Sequence, residues 1–182
     1  MSDSDHTLRR TILETVSIAD EYCKFLNKVS KHRMDDFFRT LRGLVPLLYV
    51  RGMLLPDIQP EHPEANERFM TEEEWDQMFT SLRVYLADQD EFTYLSKNEY
   101  GQDAILTGSI AEHLTDVYQD LSDFVLLFKK PSLSARENAI HECKSLFESH
   151  WGNRLAQLLP VLHHLQIPDE QIGLLNDFLD FL

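Results

Sequence analysis

Apolar residues recur every three or four positions along most of this chain, the spacing of helices that bury one face. The first run predicts a helix from Thr7 to about Val29, with Leu8, Ile12, Val16, Ala19, Cys23 and Leu26 as its buried stripe. The second turns Phe37, Leu41, Leu44, Val45 and Leu48 inward, and Pro46 should kink or split it because proline has no N–H to donate. After the Pro-rich "PDIQPEHPE", three capping boxes mark helix starts: Thr71 with Glu74, Ser109 with Glu112, and Ser134 with Glu137. They open a third helix to about Leu86, a fourth to about Lys129 and a fifth to about Leu165, the last with bends expected at Gly152 and Pro160. A sixth helix is predicted from Pro168 to the end.

Between the third and fourth helices the periodicity lapses. Residues 88–108 hold Phe92, Tyr94, Tyr100, Ile105 and Leu106, too much apolar surface for a disordered linker. The reading is one long folded-down loop, with room for a short β-hairpin around "NEYGQD". The fold class expected is all-α: a single-domain bundle of about six helices over residues 1–182.

Composition narrows the function classes. The 182 residues, 43% hydrophobic, suffice for one substantial core. With 17 Lys and Arg against 31 Asp and Glu, the net charge of -14 repels phosphate backbones and anionic headgroups, so neither nucleic acid nor membrane is an expected partner. Cys23 and Cys143 sit among apolar neighbours with no CxxC spacing, as buried reduced thiols would. "MSDSDHTLRR" lacks the apolar core of an export signal, and "LVPLLYVRGMLLP" is too short and too interrupted to span a bilayer, so the expected location is cytoplasmic. Glycine-rich nucleotide loops and the Gly-x-Ser-x-Gly nucleophile motif are missing from the sequence.

One stretch of the fifth helix, "FESHWGNRL", mixes the residue types of chemistry with those of packing. On a helical wheel Ile110, Leu114, Val117, Tyr118, Leu121, Phe124, Val125 and Phe128 form the apolar face of the fourth helix, with His113, Asp116 and Asp120 in a row beside it. The fifth helix buries Ile140, Cys143, Phe147, Trp151, Leu155, Leu158 and Leu162, with His150 and Arg154 at the edge of that face or within it. The short "KPSL" connection makes the two helices antiparallel neighbours. The acidic row should therefore meet His150 and Arg154, with Asp120 paired to Arg154. Gly152 should be small because another helix or the long loop passes close by, and Trp151 should anchor the core with its indole N–H bonded. The adjacent His163 and His164 point 100° apart, one expected inward and the other toward solvent.

"GSIAEHLTDVYQDL" and "FESHWGNRL" resemble the two hallmark segments of a bacterial helical family known as domain of unknown function five-zero-six-three. The resemblance covers mainly residues 108–165, and weakly the helix–Pro–helix segment before Pro56. Asp116, Tyr118, Asp120, Glu148, His150, Trp151, Gly152 and His163 match its pattern. His113 stands where the family usually has Asp, and Arg154 where it usually has a second His. The family carries no established activity, so the resemblance implies a helical fold and a set of residues rather than a reaction.

Two readings of function follow. The first is a non-enzymatic helical protein that acts by binding another protein, needs no cofactor, and uses His113, Asp116, Asp120, Glu148, His150 and Arg154 as an internal polar network. The alternative is a metal-binding protein or metal-dependent enzyme that gathers His113, Asp116, Asp120 and His150 around a divalent ion. Arg154 counts against it, since a fixed positive charge beside the site disfavours a cation. The sequence also has no Glu-x-x-His pair of the kind used by di-iron bundles.

Overall fold

The computed structural model describes residues 5–165, so the sixth helix predicted from Pro168 lies outside the described residues. Within them the chain is mostly helical with one small sheet: α1 (Arg10–Leu26), α2 (Met34–Leu54), α3 (Glu72–Leu86), β1 (Glu91–Lys97), β2 (Asp103–Ser109), α4 (Ile110–Phe128), α5 (Leu133–Leu146) and α6 (Gly152–His164). A π-helical turn, Phe147–Trp151, joins α5 to α6 without a break, which leaves five helical rods. No helix among the described residues is long and apolar enough to cross a membrane.

α4 is the central rod, packing on α1, α3, α5 and α6. Its predicted apolar face is buried except for the half-buried Tyr118, and the predicted stripes of α2 and of α5 with α6 are buried throughout. These faces meet in a continuous core whose largest fully buried side chain is Trp151. α2 runs unbroken across Pro46, because its buried residues on both sides of the proline are held by the same core. In α1 the stripe starts later than predicted. Leu8 lies in a 3-10 turn and is half exposed, while Ile18 and Tyr22 complete the buried set.

The hairpin expected around "NEYGQD" is present and longer than a short one, taking up most of the segment read as a loop: it is antiparallel, paired from Glu91 with Ser109 to Lys97 with Asp103. Strand period explains it: Phe92 and Tyr94 point inward, while Thr93 and Leu95 point out. The five-residue turn is closed by the Asn98 side chain, which accepts from the Tyr100 and Gln102 N–H groups, and by Gly101 at φ 74°. The all-α expectation therefore holds in outline, with a small two-stranded sheet added to a mostly helical fold.

Of the three predicted capping boxes one forms in full, one forms only its N-cap half, and one is replaced by a cap two residues earlier. Thr71 and Glu74 form the full reciprocal box. Ser109 accepts from the Glu112 N–H at 3.0 Å and donates to Asp90. At α5, Ser132 rather than Ser134 is the cap, accepting from the Ala135 N–H, and the buried Glu137 turns to His6 at 3.0 Å.

Candidate functional site

Asp90 fixes where α4 begins. Its carboxylate accepts from the Ala111 N–H at 2.7 Å and from the Ser109 hydroxyl at 2.8 Å, supplying the first turn with an acceptor. One flank of α4 then presents His113, Asp116 and Asp120 to α6 and the π-turn. Because the helices are antiparallel, residues descending on α4 meet residues ascending on the other rod, and three rungs form. His150 Nδ1 lies 2.6 Å from Asp120 Oδ2, Arg154 donates to Asp116 at 2.8 Å, and His113 Nε2 lies 2.6 Å from Gln157. The expected Asp120–Arg154 pair is thereby corrected. Arg154, one turn beyond His150, reaches one turn back along α4, to Asp116, with Glu112 3.8 Å away.

The ladder changes character along its length. At the His150 end the charges meet partners from several elements. His150 Nε2 is 3.6 Å from Asp116, the Trp75 indole of α3 donates to Asp116 at 3.1 Å, and Arg68 stands 3.9 Å from Asp120 and 2.9 Å from Glu142. The contacts with Asp116 and Asp120 push the His150 imidazole up to about 9 despite its partial burial. Burial alone would raise the Asp116 carboxyl, but the His150 hydrogen bond and the Arg154 charge hold it below its ordinary value. At the other end His113 is 1% exposed, lies against the Phe92 and Tyr94 rings of the hairpin, and has no partner for Nδ1. Burial drives its pKa down, so this imidazole stays neutral where His150 is charged.

The π-turn explains the unusual composition of "FESHWG". Its widened turn carries the Phe147 carbonyl to where a Cβ on Gly152 would collide with it, so the need for glycine arises within the same rod rather than from a passing element as expected. The Trp151 indole N–H donates to the Cys143 carbonyl at 3.0 Å. Gly52 of α2 gives the Phe147 and Trp151 rings their room on the opposite side.

Some predicted residues stay outside the ladder. Glu148 projects outward and lies 3.4 Å from Lys144. His163 and His164 are both exposed at the end of α6, contrary to the one-in, one-out expectation. With His113 bonded to Gln157, the four residues proposed as metal ligands do not converge. Among the described residues no group of three or more His, Cys, Asp or Glu is arranged to hold a metal ion. Sequence reasoning missed Gln157, Trp75, Arg68 and Gly52. Gln157 shares the helical row of His150 and Arg154 and was within reach of the wheel; the other three come from elements whose placement the wheel does not give.

A second flank of α4 carries no ladder. Tyr118, Ser122 and Leu126, four residues apart, form one wall of an open groove of about 900 Å³ between α3, α4 and the end of α1. Met70, Met78 and Val84 line the opposite side, with Val84 75% exposed. Of the lining residues only Glu74 is charged, and its carboxylate is engaged by Thr71 in the capping box.

Among curated proteins none matches this chain. A crystal structure of protein BF1032 from Bacteroides fragilis is similar in fold, with a TM-score of 0.75 and 26% sequence identity over 91% of this chain and 97% of that one. The model of the domain of unknown function DUF5063 matches residues 6–167, the helices, the hairpin and the ladder together, and this chain belongs to that family.

Proposed function

We propose that this protein is non-enzymatic and acts by binding another protein. The observation that carries the reading is the separation of polar chemistry from open surface. The His and Asp side chains on one flank of α4 are tied into the ladder, and the large groove is lined mainly by apolar, thioether, hydroxyl and amide groups, with Glu74 its one carboxylate. A general base must be unprotonated near neutral pH and free to reach a substrate. His150 meets neither condition, being held protonated between two carboxylates. His113 is neutral but sealed beneath the hairpin. The groove offers adaptable Met70 and Met78 and the exposed apolar Val84 and Leu126, a composition suited to packing against another surface.

Affinity purification of the tagged protein from native cytoplasmic lysate at moderate salt tests this reading. Recovery of one protein in stoichiometric amount is the expected result. Recovery of a stoichiometric small molecule or metal with no accompanying protein overturns it.

A further inference from the structure

We infer that the groove between α3 and α4 receives an amphipathic helix whose first two turns are basic, laid parallel to α3. The inference rests on the protein-binding reading and adds the site, the partner's chemistry and its direction. Two rails define the trough. Along α3, Glu74, Met78, Ser81 and Tyr85 recur at three- and four-residue intervals as one face about 16 Å long at 1.5 Å per residue, and Met70, just before the cap, extends the trough beyond the first turn. On α4, Tyr118, Ser122 and Leu126 recur every four residues as the facing rail. A groove walled by two helices, with Met70, Met78, Val84 and Leu126 among its lining and open at the top, is the shape that accepts a third helix by its apolar face.

Charge then gives the direction. The Met70 end of the trough carries the acidic first turn of α3, Glu72, Glu73 and Glu74. The far end, at Val29 and Ser30, is flanked by the exposed Lys28 and Lys31. A docked helix gains most with its positive N-terminal end over the glutamates and its negative C-terminal end over the lysines. Basic side chains in its first two turns add to that preference, and the net charge of -14 favours the approach of such a segment.

Methionine-methyl NMR reads this directly, because Met70 and Met78 line the groove while Met34 and Met53 lie on α2. The probe is a synthetic peptide of about 16 residues, long enough for the trough. It has a leucine face, lysines on the polar face of its first two turns and glutamines thereafter. One control replaces the lysines by glutamates, and another scatters the leucines around the helix. Saturable shifts at Met70 and Met78, unmoved Met34 and Met53, and roughly fivefold weaker binding of the glutamate control are expected. Intrinsic helicity favours that control, since acidic residues suit a helix N-terminus, so the ranking cannot come from helicity. A nitroxide on the peptide N-terminus should broaden Met70 before Met78.

Ser81→Trp, at an exposed position, and Ser122→Trp should fill the trough and abolish the shifts while circular dichroism stays unchanged. Equal binding of the scattered peptide, shifts centred on Met53, or no shift at Met70 and Met78 overturns the inference. If it falls while a lysate partner is still recovered with both tryptophan variants, protein binding stands and the groove is not its site. If no partner is recovered at all, the functional reading itself falls.

Discussion

The two flanks of α4 sit on the same helix and follow opposite rules. One carries His113, Asp116 and Asp120, and each has a partner on α6 or the π-turn. The other carries Tyr118, Ser122 and Leu126 and borders an open groove. Burying an ionised group costs several kcal/mol unless a partner and hydrogen bonds come with it, whereas a hydroxyl or a methyl can be left facing water at little cost. Folding therefore closes the charged flank against its neighbours and leaves the neutral flank free. On this one helix the charged residues are the paired ones, and the flank left open is neutral.

The sharpest way to break this contrast is at Asp120, which is 3% exposed and faces both His150 and Arg68. Removing it takes away one of the two carboxylates that hold the His150 imidazole protonated and leaves Asp116 as the other, so Asp120→Ala should cost up to about 3 kcal/mol in chemical denaturation at neutral pH. A loss below about 1 kcal/mol, the range of exposed pairs, would place the ladder among surface ion pairs and remove the distinction between the flanks. Double-mutant cycles resolve the rungs. Asp120 should couple to His150 by about 1 kcal/mol and only weakly to Arg154, whose hydrogen bond goes to Asp116. Strong Asp120–Arg154 coupling would mean that the rungs are displaced by a turn in solution.

These rungs also mark how far the sequence could be read. Helical periodicity identified the buried faces of α2, α4 and the α5–α6 rod, and the short connection made α4 and α5 antiparallel, so the acidic row and the His150–Arg154 edge were brought together correctly. Which rung faced which depended on the axial offset between the rods, and that offset is set by packing around Trp151 and the π-turn, not by local pattern. Gly152 was recognisable as a close approach, but the atom approaching it, the Phe147 carbonyl, belongs to a turn geometry that a wheel drawn at 100° per residue excludes. The turn of the hairpin was legible in "NEYGQD", but the length of its strands was not, because their apolar residues follow strand period over only seven positions on each side. Nothing in Met70, Met78 or Ser122 marked a groove, since residues of that kind are common on any helix.

A smaller effect separates the ends of the closed flank by pH. The His150 pKa is raised from an ordinary 6.5 to about 9, so the folded state holds its proton more tightly than the unfolded chain does. The stabilisation is complete below pH 6.5 and disappears as pH rises through about 9. With about a third of the side chain exposed, solvent screening reduces the full linkage value, and a decline of roughly 1–2 kcal/mol across that window is expected. His150→Gln should flatten this limb. His113 has the opposite sign: its lowered pKa makes the folded state resist protonation, so its contribution is lost as pH falls below 6.5. A stability profile that stays level from pH 6.5 to 9 in the wild type would contradict the ion-paired placement of His150.

The open flank should give the smallest effects, and they are the most informative about function. Ser122→Ala removes a half-buried hydroxyl at the groove wall, and Tyr118→Phe removes an exposed hydrogen bond of 3.1 Å to Asn27. Each should change unfolding free energy by less than about 0.5 kcal/mol, the range of substitutions that break no buried network. For a chain of this size that is a melting shift of under about 2 °C. A cost above about 1.5 kcal/mol at either position would mean that the groove wall is held in place by these groups, and its openness would then be a by-product of packing. A negligible cost leaves the composition of the wall unconstrained by folding. The exposed Val84 and Leu126 on the same walls then remain as apolar area that the proposed partner would cover.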